Sequence, residues 1–178
     1  MFTVPAITTP PAGARVMNLQ DPATKMGKSH EPGAGTIYLL DEPAVVQRKV
    51  ARAVTDSDSG ADAVRYDPET KPGVSNLLEI VAGCEGRAPA RVADGLSSYG
   101  ELKQRACEAV LAVLGPIQAR YAELVADPDL VAGTYAEGAL RCREETAPVL
   151  AAAREAIGLL SCFPRQAPGN GHEPPRGR

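Results

Sequence analysis

Apolar residues recur at helical spacing through most of the chain. The longest such stripe is Leu102, Ala106, Val110, Val113, Leu114, Ile117, Tyr121 and Leu124, about six turns of one helix. Gly115-Pro116 falls inside it and is expected to kink or break it. Val45, Val46 and Val50 mark an earlier helix, capped by Asp41 or Glu42, with Pro43 in its first turn and an end near Val54. Pro72 opens a third, burying Val74, Leu77, Leu78 and Val81, with Gly83 placed to end it. A short helix follows from Pro89 to about Leu96. Asp127-Pro128 then opens a last helix to about Ile157, carrying Leu130, Val131, Leu140, Val149, Leu150 and Ile157. Gly138 between small residues is expected to let another helix approach closely. Only Ala14–Leu19 reads as a strand, closed by a turn at Asp21-Pro22. The pattern predicts a mainly α fold, an antiparallel helical bundle joined by short loops, preceded by one orphan strand. A lone strand leaves backbone donors and acceptors unpaired, so its sheet is expected to be missing or supplied by another chain.

Composition narrows the chemistry. The chain has 178 residues, 44% hydrophobic and 23% charged, ordinary values for a globular domain with a real core. The net charge of −3 argues against a strong non-specific polyanion binder, so any RNA contact must come from local patches. Arg48, Lys49 and Arg52 form one basic flank, read first as a solvated helix face. Cys84, Cys107, Cys142 and Cys162 show no C-x-x-C pair and no His at metal spacing; they read as reduced thiols used as small apolar residues, and no metal site is expected. Asp56, Asp58 and Asp62 do not make a calcium loop, because Gly60, Ala61 and Asp67 occupy its fifth, sixth and twelfth positions. Ser75 is not in G-x-S-x-G, and His30 and His172 form no triad. No secretory signal and no apolar run of the ~18 residues a membrane span needs are evident; the expectation is a soluble, cytoplasmic chain without membrane contact. Residues 161–178, rich in Pro, Gly and Arg, are expected to be disordered.

One loop carries chemistry. Lys25-Met26-Gly27-Lys28-Ser29 combines two ammonium groups with backbone amides that a glycine leaves accessible, which suits a polyphosphate. A Walker A loop is excluded, since Pro22 stands where its first glycine is required. By itself the pentapeptide is equally compatible with a solvated surface loop.

The flanks change that. Gly13-Ala14-Arg15-Val16-Met17, Asp21-Pro22 and the lysine loop resemble the K-M-S-K-S signature of class I aminoacyl-tRNA synthetases. The resemblance continues in order through Thr36–Asp41, Ala53–Ser57, Tyr66-Asp67, Lys71–Leu78, Pro116–Tyr121 and Ala136–Ala139. This series is similar to the C-terminal half of bacterial tryptophanyl-tRNA synthetases, from about Phe2 to Leu160. It implies residues 1–40 as the end of a Rossmann-type nucleotide-binding fold, with the phosphate loop at 25–29. Residues 41–160 would be a helical anticodon-recognition domain and 161–178 a tail. It further implies that Lys25 and Lys28 are catalytic, holding pyrophosphate with Met26, Gly27 and Ser29 assisting, while Val16 offers its backbone to adenine. ATP with Mg2+ would be a substrate of the whole enzyme, with neither expected to stay bound to this chain alone. Family partners would be tRNA, held weakly here, a nucleotide-binding half supplied in trans, and a second subunit, the family being homodimeric. The sequence departs at Gly27, where serine is usual, and at His30, where aspartate is usual. The 178 residues contain no H-I-G-H signature and no tryptophan pocket, so the chain reads as a fragment of a tryptophan–tRNA ligase. The alternative is a non-catalytic helical RNA-binding or synthetase-associated module.

Overall fold

The structure is a computed structural model, and it describes residues 3–27, 33–60 and 62–159. Five helices form among them: α1 (Pro43–Ala51), α2 (Pro72–Glu85), α3 (Pro89–Ala93), α4 (Tyr99–Ala126) and α5 (Pro128–Ala156). The fold is mainly α, as the spacing predicts.

Four of the five helices begin at or next to a proline that supplies a fixed φ where no intrahelical N–H bond is needed. At α1 the expected side-chain cap is absent: Glu42 holds the N-cap position without a capping bond. Asp41 instead accepts from the Tyr38 N–H at 2.9 Å and from the Lys49 ammonium at 2.6 Å. At α4, Ser98 Oγ accepts from the Glu101 N–H at 3.2 Å while the Glu101 carboxylate accepts from the Ser97 N–H at 2.7 Å, a reciprocal cap shifted by one residue from the usual box. Gly83 does not end α2. The helix runs on to Glu85 and stops at Gly86, whose φ of 66° is left-handed. Gly83 instead packs beside Gly13.

Ala6–Asp127 form one compact unit. Its core is built from Val74, Leu77, Leu78 and Val81 of α2, Val46 and Val50 of α1, Val92 of α3, Leu102, Ala106, Val110 and Leu114 of α4, and Leu19. Each fully buried Leu or Val contributes roughly 1.5–3 kcal/mol relative to exposure. Helix α1 runs antiparallel to α4. The Lys103 ammonium donates to Ala51 O at the end of α1, and Gln118 Nε2 donates to Leu39 O and Asp41 O just before its start.

Two features of α4 differ from the pattern. The helix is not broken at Gly115-Pro116 but continues through Pro116. Ala112, whose carbonyl loses its intrahelical donor to the proline ring, is exposed, so water can take that place. The apolar stripe is buried only as far as Leu114, and Ile117 and Tyr121 are exposed. Contrary to expectation, Tyr99–Ala126 is also long and apolar enough, by length and composition, to cross a membrane. Leu102, Ala106, Val110 and Leu114 of this helix are nevertheless part of the core with α1 and α2.

Helix α5 belongs to the second unit. It has no buried residue, and a Cβ added at Gly138 would meet nothing within 4 Å. Among the described residues nothing closes on Gly138. Residues 161–178, expected to be disordered, lie outside the described residues.

Candidate phosphate-loop site

The lysine loop grows out of a narrow two-armed turn rather than a strand. Met17 and Lys25 form an isolated antiparallel bridge. Met26 N–H donates to Val16 O at 3.0 Å and Asn18 N–H to Thr24 O at 2.9 Å, closing the two arms. The tip is set by Asp21: its Oδ1 accepts from the Ala23 N–H at 3.2 Å, and its carbonyl accepts from the Thr24 N–H at 3.0 Å. Asn18 Oδ1 accepts from the Gln20 and Asp21 N–H groups at 2.8 and 3.2 Å.

The strand expected over Ala14–Leu19 is thus reduced to one bridge, and its backbone is not orphaned. Helix α2 supplies what a neighbouring strand would have supplied. The Asn76 side chain, 5% exposed, accepts from the Met17 N–H at 2.8 Å and donates to the Met17 carbonyl at 2.9 Å. One turn later, Glu79 Oε2 accepts from the Gly13 N–H at 2.8 Å. Gly13 has φ 68° and lies so close to Gly83 that an added Cβ would sit 3.4 Å from the Gly83 Cα. Leu19 is held from two sides, its N–H donating to Gly35 O at 2.9 Å and its carbonyl accepting from the Val54 N–H at 2.7 Å. The chain therefore returns to the same place after the loop.

Polar groups secure this platform. Glu79 Oε1 accepts from the Tyr66 hydroxyl at 2.6 Å; that bond, with burial and the Glu79 charge, pushes the Tyr66 phenol up to about 12. Ser75 Oγ accepts from the Asp67 N–H at 2.9 Å. The Lys71 ammonium, on a side chain 2% exposed, pairs with Asp56 at 2.9 Å and Asp58 at 2.7 Å, and donates to the Tyr99 hydroxyl at 3.0 Å. Burial works against the charge on Lys71, but the bonds from Asp58, Tyr99 and Asp56 outweigh it and raise its pKa. The run Lys71-Pro72-Gly73-Val74-Ser75-Asn76 is thus a support under the loop.

Val16 and Met26, both half-buried, line an apolar groove of about 410 Å³ together with Ile37, Ile80, Cys84 and Val110. The Val16 carbonyl already accepts from Met26. Lys25 is exposed and, among the described residues, has no ion-pair partner. Gly27 is half-buried. Lys28 and Ser29, and with them His30, lie outside the described residues. Val16, Lys25, Met26 and Gly27, singled out from the sequence, lie on the two arms of this turn, and sequence reasoning assigned no role to Asn76, Glu79 or Lys71, which hold the platform beneath it. The available signal was Asn76 among the apolar residues Val74, Leu77 and Leu78, and a lysine directly before the helix-opening Pro72. Among the described residues no group of three His, Cys, Asp or Glu side chains could hold a metal ion.

Residues 1–115 match the family model for class I tRNA synthetases of the W and Y type. The chain is 54% identical over 159 residues to tryptophan–tRNA ligase 1 of Streptomyces avermitilis, covering 89% of this chain and 47% of that protein. It is 44% identical over 162 residues to the tryptophan–tRNA ligase of Leifsonia xyli, again covering 47% of the relative. The chain therefore spans about half the length of the curated relatives it matches. The crystal structure of tryptophanyl-tRNA synthetase from Mycoplasma pneumoniae superposes with a TM-score of 0.72 at 28% identity, over 82% of this chain and 44% of that one.

Proposed function

Because the chain belongs to the class I tRNA synthetases of the W and Y type, we propose that it is the loop-bearing and helical half of a tryptophan–tRNA ligase. Its task would be to clamp the pyrophosphate end of ATP during formation of tryptophanyl-adenylate. The observation that carries this reading is the placement of Lys25. It stands exposed and without an ion-pair partner among the described residues, on a turn whose backbone is pinned at both arms.

In adenylate formation the tryptophan carboxylate attacks the α-phosphorus, and the bond from that phosphorus to the bridging oxygen of the leaving pyrophosphate breaks. Negative charge grows on the leaving group, so cations fixed there lower the barrier more than they strengthen ground-state binding. Lys25 and Lys28 would supply that charge, with Ser29 and the amides of Met26 and Gly27 donating to phosphate oxygens. The groove beside Val16 and Met26 would take the flat, apolar face of adenine. Residues 1–40 would act as the end of the nucleotide-binding fold, and 41–160 as the tRNA-facing helices. Amino-acid binding and most ATP contacts fall to residues that these 178 do not include, supplied by the other half of the enzyme; a homodimer and a cytoplasmic location follow the family. ATP and its magnesium are substrates here, not resident groups.

Tryptophan-dependent pyrophosphate–ATP exchange tests the reading. The purified 178-residue chain should show none above background, and adding a separately expressed nucleotide-binding half from a close relative should produce it. Exchange by the chain alone, or none in the mixture despite a formed complex, would overturn the assignment.

A further inference from the structure

We propose that Asn76 is the positioning residue of the lysine loop: its side-chain amide fixes Met17 and, through the bridge from Met17 to Lys25, the direction in which Lys25 is presented. The proposal rests on the reading of that loop as a phosphate clamp.

A buried asparagine on the apolar face of a core helix is costly unless its amide is satisfied. Here it is satisfied by the two backbone groups of one residue, Met17, at 2.8 and 2.9 Å. This is the pairing a β-strand neighbour would offer, made by a side chain. Met17 is the residue that bridges Lys25, and the flanking bonds Met26 N–H to Val16 O and Asn18 N–H to Thr24 O complete a short ladder. Any displacement of Met17 is passed across this ladder to Lys25 without a flexible intermediate. Glu79 holds Gly13 from the same side of α2 at 2.8 Å, so the loop's root is gripped at two points four residues apart. The result is a lysine whose backbone is registered to the helical core. The polar contact also explains why an amide stands between Val74 and Leu77, both fully buried.

The test uses the 178-residue chain and its variants Asn76→Ala and Asn76→Asp. Amide exchange by NMR gives the protection of Met26 and Asn18 against that of Val110 and Leu114 in α4. Pyrophosphate titration gives the affinity at the Lys25 amide. With Asn76→Ala we expect protection at Met26 and Asn18 to fall at least tenfold, α4 protection to stay within about twofold, and pyrophosphate to bind several-fold more weakly. Asn76→Asp separates positioning from packing, because the acid form can donate to the Met17 carbonyl and accept from its N–H, whereas the carboxylate can only accept. Protection in Asn76→Asp should therefore approach the wild type at acid pH and fall as the carboxyl ionises. Referring each value to wild type at the same pH removes contributions shared by both proteins from Arg15, Tyr66 and Glu79, which line the same cavity. Unchanged protection at Met26 in a folded Asn76→Ala, or a pH-independent Asn76→Asp, overturns the proposal. If Asn76→Ala does not fold, the pH profile of Asn76→Asp decides alone. A wild-type chain that never responds to pyrophosphate overturns the phosphate-clamp reading instead, while the exchange arm still reports whether Asn76 sets the loop.

Discussion

The ammonium of Lys71 lies 2.9 Å from the Asp56 carboxylate with 2% of the lysine side chain exposed. Burial acts to raise the Asp56 carboxyl, yet hydrogen bonds from Tyr99 and Lys71 outweigh it and hold the group at about 2, below its ordinary 3.8. A carboxyl whose folded value is depressed stabilises the fold above the unfolded value and loses that contribution as pH falls through the folded one. The stabilisation from Asp56 is thus complete above about pH 4 and lost between pH 4 and 2. Asp56→Asn should lower the thermal midpoint at pH 7 and flatten its decline between pH 4 and pH 2. A variant whose midpoint declines in parallel with wild type over that interval would show that the pair does not govern acid stability.

Two glycines of α2 should respond to alanine with opposite sign. Alanine is the better helix former by about 1 kcal/mol, so propensity favours both substitutions. At Gly73, however, an added Cβ would sit 2.2 Å from the Val54 carbonyl oxygen, whereas at Gly83 its nearest neighbour is the Gly13 Cα at 3.5 Å, an ordinary contact. Gly73→Ala should lose several kcal/mol because backbone must move, and Gly83→Ala should gain up to about 1 kcal/mol. Urea unfolding midpoints measure both, and a stabilising Gly73→Ala would show that the Leu19–Val54 junction is looser than described.

These elements also show what the sequence disclosed. Helix starts were legible at Pro43, Pro72, Pro89 and Pro128, because proline's fixed φ and missing donor mark a first turn regardless of tertiary context. The stop at Gly86 was misplaced at Gly83: both are glycines near the end of an apolar run, and only the approach of Gly13 distinguishes them. Ala14–Leu19 has strand composition, but its partner is a side chain from a residue 59 positions away, which no local pattern encodes. The lysine loop was legible through its ordered flanks, whereas Asn76 was hidden as a polar residue in a helix that reads as core and Lys71 as a charged residue just before it. The apolar stripe was legible over α4, but how far along it burial extends depends on which helices reach it.

Binding of tRNA by the 178-residue chain should be weak and strongly salt-dependent. The net charge is −3, so attraction must come from local clusters such as Arg48 on α1 and Arg52 at its C-cap, and such attraction falls steeply as salt rises. Filter binding at low and physiological ionic strength checks this. Tight binding at physiological salt, indifferent to tRNA identity, would contradict the reading of these helices as one half of a composite tRNA surface.

The sharpest test separates the charge of Lys25 from its backbone role. Its bridge to Met17 is made by main-chain atoms, so Lys25→Ala removes the ammonium and leaves the turn closed by Val16–Met26 and Asn18–Thr24. If the ammonium stabilises the departing pyrophosphate, its loss acts on the transition state and should lower the exchange rate of the reconstituted enzyme by about 10²–10³, with KM for tryptophan little changed. Lys28→Ala is expected to be at least as damaging if Lys28 shares that task, as proposed above for the second lysine of the loop. Lys25→Arg keeps the charge but spreads it over a planar fork, so it should recover part of the rate rather than all of it. A Lys25→Ala enzyme that exchanges at the wild-type rate, with Lys28→Ala equally active, would mean that the loop is a surface turn and that pyrophosphate is held elsewhere. A loss confined to KM would instead make Lys25 a ground-state contact, because only interactions that strengthen as charge develops lower the chemical barrier.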